Sequence, residues 1–255
     1  MTHDVGREAF RKFKDFGIAM QHQDEMCNSG YLHGVIEAYF KNSDNLLSTM
    51  KTVCRGYKLG SFASWECLHG VGHGIMFYTE NDLPLSIRSC EIYRDRFSLS
   101  ACVNGVFMEN FNTDQKIHPS KYLRADDPFY PCNDQKDDYK SDCYLNAPTY
   151  YLHLHKGSYG DALVWCGSAD SRYISTCVEG VGSQAIKENI NSPRIVERIC
   201  MVEASQIRQW CIYGMVSLYI NNFGSLDLAR SLCNNLDWTD KQSCENVVKY
   251  RKGEF

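Results

Sequence analysis

The chain has 255 residues, 44% of them hydrophobic, and a net charge of -4 with its basic residues scattered along the sequence. That length and apolar content can bury a core, and the scattered charge excludes nucleic acid as a partner, since phosphate binding needs a basic patch. No stretch approaches the roughly 18 uninterrupted apolar residues of a membrane span.

Residues 1–27 show no basic stretch followed by an apolar run, so no export signal is expected and the chain reads as a mature form or an excised fragment. His3, Gly6 and Glu8 roughly echo segments further along, which makes 1–27 a remnant of an upstream repeat. His3 itself reads as a frayed terminal residue.

Twelve of the thirteen cysteines then fall into six couples: Cys54 with Cys67, Cys90 with Cys102, Cys132 with Cys143, Cys166 with Cys177, Cys200 with Cys211, and Cys233 with Cys244. Within a couple the separation is 13, then 12, then 11 throughout. A period of this kind marks a repeat array. Paired thiols at such regular spacing read as disulfides, one per repeat, each contributing about 3 kcal/mol through loop closure. Metal-thiolate chemistry needs close CxxC pairs, and the chain has none. Disulfides persist in oxidising compartments, which places the protein outside the cytoplasm: secreted, periplasmic or at a cell surface. Cys27 has no partner in this scheme.

Each repeat reads as two helices. The first ends near the first cysteine, as in Ser192-Pro193 through Cys200 and Ser225-Leu226 through Cys233, with serine at the N-cap. The second is expected to begin just before the second cysteine, with Ser141, Asp142, Ser175 or Ser243 as its cap. It carries a recurrent signature of cysteine, an apolar residue, a variable residue and glycine: Cys67-Leu68-His69-Gly70, Cys102-Val103-Asn104-Gly105, Cys177-Val178-Glu179-Gly180 and Cys211-Ile212-Tyr213-Gly214. Tyr31-Leu32-His33-Gly34 is an earlier copy with tyrosine in the cysteine slot. Cys143-Tyr144-Leu145-Asn146 is a degenerate copy, and Cys244-Glu245-Asn246-Val247 a worn terminal one. Glycine inside a helix costs about 1 kcal/mol relative to alanine, so its recurrence in register points to close approach between helices.

The expected fold is all-α: a single domain over residues 1–255, built as a solenoid of six to seven αα-hairpin repeats of 33–36 residues, each with one internal disulfide. Residues 112–131, polar and holding Pro119, Pro128 and Pro131, read as an inserted surface loop. Between about residue 28 and residue 250 this arrangement resembles the cysteine-stapled Sel1-like branch of the tetratricopeptide-type solenoids, with longer cysteine spacing. That resemblance implies an interaction scaffold.

The variable column of the signature carries the chemistry. It holds His33 and His69, and one turn further on lie Glu37 and His73. Residues four apart share a helix face, and neighbouring helices lie about 10 Å apart. His33, Glu37, His69 and His73 therefore form a candidate site for one transition-metal ion, zinc, copper or iron. Asn104, Met108 and Glu109 on the following helix are candidates for its surroundings. His153 and His155 read as surface or packing residues, and the aromatics of the second helices as core. HExxH, GxSxG and P-loop motifs are all absent. Two functional classes follow. One is an extracytoplasmic binding scaffold that engages a protein, peptide or glycan on its concave face. The other is a metal-dependent enzyme, or a redox or metal-sensing protein, that uses the histidine site.

Overall fold

A computed structural model describes residues 2–22, 29–112, 120–201 and 204–254. Cys27 and residues 113–119 of the expected loop lie outside them. The chain is all-α and 74% helical, with fourteen α-helices and no strand among the described residues. It divides into two compact units, Met1–Tyr122 with the last two residues, and Leu123–Gly253. The boundary falls inside the 112–131 segment.

The first unit contains α1 (Thr2–Phe13), α2 (Phe16–Met20), α3 (Gly30–Lys41), α4 (Leu46–Val53), α5 (Phe62–Tyr78), α6 (Leu83–Cys90) and α7 (Arg96–Asn112). The second contains α8 (Asp137–Leu154), α9 (Tyr159–Cys166), α10 (Ile174–Glu188), α11 (Pro193–Cys200), α12 (Ser205–Phe223), α13 (Leu226–Cys233) and α14 (Trp238–Arg251). Five helices, α4, α6, α9, α11 and α13, are each eight residues long. Isolated helices of that length are unstable in water, so packing and crosslinks must hold them.

Several of the short helices are started by side-chain caps. The Asn45 carboxamide oxygen accepts from the Ser48 N–H at 3.0 Å, Asp82 from the Leu85 N–H at 3.0 Å, and the Ser225 hydroxyl from the Leu228 N–H at 3.3 Å. Ser192 occupies the cap position of α11 without a side-chain bond. The caps expected for the second helices are wrong. Ser141, Asp142, Ser175 and Ser243 lie inside α8, α10 and α14, whose N-caps are Lys136, Tyr173 and Asp237. The second cysteine must sit a turn or so inside its helix to face the short one, so the helix begins earlier than a cap placed beside the cysteine would have it.

All six couples are disulfides, with Cα–Cα separations of 5.4–5.8 Å. Four of them join the last residue of a short helix to the long helix that follows: Cys90 to Cys102, Cys166 to Cys177, Cys200 to Cys211, and Cys233 to Cys244. Cys54 reaches Cys67 in the same way from the C-cap of α4.

The couple of Cys132 and Cys143 departs from the expected pair of helices. Its bond is present, with Cα atoms 5.4 Å apart, and Cys143 lies within α8 as expected. Cys132, however, belongs to a single 3₁₀ turn, Cys132–Asp134, where a short α-helix was expected to end. Pro128 and Pro131 precede it, and proline withholds the N–H that an approaching helix would need. The glycine slot after Cys143 holds Asn146, buried, whose carboxamide donates to the Asp142 carbonyl at 2.9 Å. Six disulfides fit an oxidising, extracytoplasmic environment. No described helix is long and apolar enough to cross a membrane.

The long helices pack side by side in chain order, α1 on α3, α3 on α5 and α5 on α7 in the first unit, and α8 on α10, α10 on α12 and α12 on α14 in the second. The signature glycines make this possible. A Cβ on Gly34 would stand 2.0 Å from the His3 carbonyl oxygen, one on Gly105 2.0 Å from that of His69, and one on Gly214 1.8 Å from that of Glu179. No real Cβ tolerates such distances, so the helix backbones touch where a side chain would hold them apart. The core between them is aliphatic and aromatic, with Leu32, Ile36, Phe40, Val71, Ile75, Val103 and Phe107 buried in the first unit. Among the aromatics expected in the core, Phe77 and Tyr78 are instead exposed, at 38% and 45%. They lie at the C-terminal end of α5, where Arg7 of α1 and Lys41 of α3 stand over the Phe77 ring at 5.7 and 5.4 Å.

Two outcomes test this account. Gly105→Ala should destabilise the protein by about 2 kcal/mol or more in chemical denaturation, as overpacking does, whereas Gly56→Ala, with open space around the added methyl, should be close to neutral. Replacing Cys233 and Cys244 together by alanine should cost about 3 kcal/mol, read as a lowered denaturation midpoint.

Candidate metal centre

Each signature glycine receives the variable residue of the preceding long helix. His3 therefore sits over Gly34, His33 over Gly70 and His69 over Gly105. A Cβ on Gly70 would lie 2.6 Å from Cδ2 of the His33 ring, so the imidazole fills the space that the glycine leaves. Stacking in this register lines up the variable column of the first unit. His73, one turn beyond His69 on α5, points to the same place.

The result is a cluster of imidazoles. His33, His69 and His73 each present a ring nitrogen within 4.8 Å of the other two, and all three are buried. Their ring centroids are 5.2 Å (His33–His69), 4.9 Å (His33–His73) and 4.8 Å (His69–His73) apart. His3 stands edge-on to His33 at 5.4 Å and to His73 at 5.3 Å. It belongs to a full helix turn of α1 rather than to a frayed end.

Hydrogen bonds set the tautomers, because a carbonyl or carboxylate oxygen can only accept. His73 Nδ1–H donates to Glu109 Oε2 at 2.7 Å, which leaves Nε2 as its lone-pair donor. That Nε2 lies 3.1 Å from Nε2 of His69. His33 Nε2–H donates to the Glu66 carbonyl oxygen at 3.2 Å, leaving Nδ1. His3 Nδ1–H donates to Glu37 Oε1 at 2.7 Å, leaving Nε2. Arg7 donates to the other oxygen of Glu37 and, at 2.6 Å, to Asp4. The buried Glu37 carboxylate thus has charged or polar partners on both oxygens, which burial demands of it.

Burial holds the His33 imidazole well below its ordinary pKa, and the neighbouring His73, His69 and His3 add to the effect. At neutral pH it is an uncharged donor, as a metal ligand must be. Glu109 is half-exposed, and burial acts to raise its pKa. Its bond to His73, with the charges of His73, His3 and Arg7, outweighs this and leaves the carboxyl below its usual range.

Three of the four residues expected to ligate, His33, His69 and His73, come together. Glu37 lies beside them with its oxygens turned to His3 and Arg7. Of the expected surroundings, Glu109 orients His73, Asn104 is buried on α7, and Met108 is half-buried. His153 is exposed, and His155 stacks on Tyr151 at 4.1 Å. Sequence reasoning undervalued His3 and passed over Arg7 and Glu66. A signal for His3 was present: His3-x-x-Gly6 has the spacing of His69-x-x-Gly72, and both second glycines face the backbone carbonyl of the next long helix, 2.1 Å from where a Cβ would stand.

The second unit repeats the stacking with different chemistry. Leu145 occupies the column over Gly180, and Glu179 the column over Gly214. Burial pushes the Glu179 carboxyl up to about 7. Ser183, in the place corresponding to His73, donates to the Gly214 carbonyl at 3.1 Å. Among the described residues, only the first unit gathers a histidine group able to hold a metal.

In comparisons with known proteins the chain matches no family model, no curated protein and no solved structure.

The depressed His33 pKa has a thermodynamic consequence. Unfolded, this histidine takes up a proton as the pH falls below about 6.5, whereas the folded protein resists it. Its contribution to stability is therefore complete above that pH and is lost on acidification, by at most about 1.4 kcal/mol per pH unit for one proton. Denaturation of the metal-free protein between pH 7 and 5 should show this slope, and His33→Gln should flatten it.

Proposed function

We propose that this protein is an extracytoplasmic helical-repeat binding module whose Met1–Tyr122 unit holds one transition-metal ion on His33, His69 and His73. The observation that carries this reading is the convergence of three buried imidazoles from two adjacent helices, with nitrogens within 4.8 Å of one another. Two features support it. His73 is oriented by a carboxylate on its far nitrogen, as metal-bound histidines commonly are. His33 is kept neutral by burial. A structural role alone would be served more cheaply by apolar residues, since clustered imidazoles must be hydrogen-bonded and held uncharged.

An all-nitrogen donor set suits zinc and copper, and also iron. Bound there, the ion would act as a Lewis acid or as a crosslink between α3 and α5. The disulfides support an oxidising location, on the cell surface, in a periplasm or secreted. The recurrence of helix pairs supports a stacked, solenoid-like array of the Sel1-like kind, with a protein, peptide or glycan partner on its surface.

Protein purified without chelators, or loaded with zinc, copper or iron, should contain close to one ion per chain by elemental analysis. His69→Ala should lose it, and His153→Ala should keep it. Absence of stoichiometric metal from the wild-type protein under all three loadings would remove this reading.

A further inference from the structure

We infer that His3 is a fourth nitrogen ligand, so that the metal closes a four-histidine site and fastens α1 to the rest of the first unit. The inference rests on the metal reading above and goes beyond it, because His3 comes from a third helix.

Ring spacing is the first argument. A metal–nitrogen bond of about 2.0–2.1 Å, plus about 1.1 Å from the nitrogen to the middle of its ring, puts each imidazole centroid about 3.2 Å from the ion. Four such rings at the corners of a tetrahedron would have centroids about 5.2 Å apart. Three of the separations, between His33, His69 and His73, are 4.8, 4.9 and 5.2 Å. Two of the three that involve His3, to His73 and His33, are 5.3 and 5.4 Å. His3 therefore stands as far from those two rings as the members of the group stand from one another.

Hydrogen bonding is the second argument. His3 and His73 are held in the same way, each donating from Nδ1 to a carboxylate at 2.7 Å, Glu37 and Glu109 respectively. In both, the ring nitrogen left over is Nε2. A carboxylate that fixes the tautomer and raises the basicity of a ligating imidazole is the usual support for a metal-bound histidine. Glu37 is buried on α3 and is itself held by Arg7, so the arm that orients His3 is fixed at its base.

Helix packing is the third. A Cβ on Gly34 would lie 2.0 Å from the His3 carbonyl oxygen, and one on Gly6 2.1 Å from that of Tyr31. This reciprocal contact sets α1 against α3 in one register and leaves His3 facing the cluster. Four protein ligands leave no open position, which is the mark of a site that holds a metal for structure or storage, where a catalytic site keeps one position free.

Cobalt(II) titration of the intact, disulfide-bonded chain tests this by visible absorption. Wild-type protein should bind one ion with the intense bands of a four-coordinate centre. His3→Ala should still bind at His33, His69 and His73, with weakened bands as water enters and with affinity reduced tenfold or more. Glu37→Gln, which preserves shape, should reduce affinity in the same direction by roughly 10–100-fold. In nitrogen-15 spectra of the zinc-loaded wild type, four histidines should shift on metal addition. Bands and affinity unchanged in His3→Ala, or only three shifted histidines, would overturn the proposal and leave the three-histidine reading standing. If wild-type protein binds neither cobalt nor zinc, the four-histidine site falls, and the metal reading falls with it when copper and iron also fail to load.

Discussion

The contact between a helical glycine and the backbone carbonyl of the preceding long helix is the constraint on which the rest of this structure depends. At Gly34, Gly105, Gly180 and Gly214 a methyl group would lie 1.8–2.2 Å from a carbonyl oxygen. Only hydrogen fits, and so the long helices approach until their backbones meet. Because the carbonyl belongs in each case to the variable residue of the preceding signature, the contact sets the register of neighbouring helices as well as their distance. One residue of slip would put a side chain where there is no room for it.

The disulfides act on a different coordinate. Each joins the end of a short helix, or in the case of Cys132 and Cys143 a 3₁₀ turn, to the long helix after it. The closed loop of about a dozen residues settles the arrangement within a pair. Glycine contacts settle the arrangement between α1 and α3, α5 and α7, α8 and α10, and α10 and α12. Neither alone would place imidazoles from separate helices around one point. The crosslinks offset the entropy of short helices that could not persist alone, and the glycines remove the bulk that would keep the variable column apart.

The histidine cluster is then a local elaboration of a general scaffold. Where the column carries His3, His33 and His69, with His73 one turn on, the stacking yields a compact group of nitrogen donors. In the second unit it carries Leu145 and Glu179, and the outcome is a packed side chain and a carboxyl that burial raises to about 7. The polar surroundings follow the same division. Glu109, the Glu66 backbone carbonyl and Glu37 each accept a hydrogen bond from one imidazole nitrogen, so His73, His33 and His3 are each held from the outside by an oxygen. Buried polar groups are tolerated on such terms.

Cysteine spacing in the sequence was enough to read the six crosslinks and the paired helices around five of them, because loop closure over a dozen residues is a local matter, and the crosslinks in turn fit an oxidising setting. It was also enough to bring His33, His69 and His73 under suspicion, since residues four apart share a face whatever surrounds them. The helix starts were misplaced, by two residues at α10 and by five or six at α8 and α14, for a tertiary reason: the second cysteine must face its partner from within the helix, whatever cap residues lie beside it. Only the folded chain could decide what Glu37 touches, because its partners, His3 and Arg7, are 34 and 30 residues away on another helix. The place of His3 was decided in the same way. Its spacing to Gly6 was visible, but its meaning lies in a contact with Gly34 that no periodicity along one helix can express.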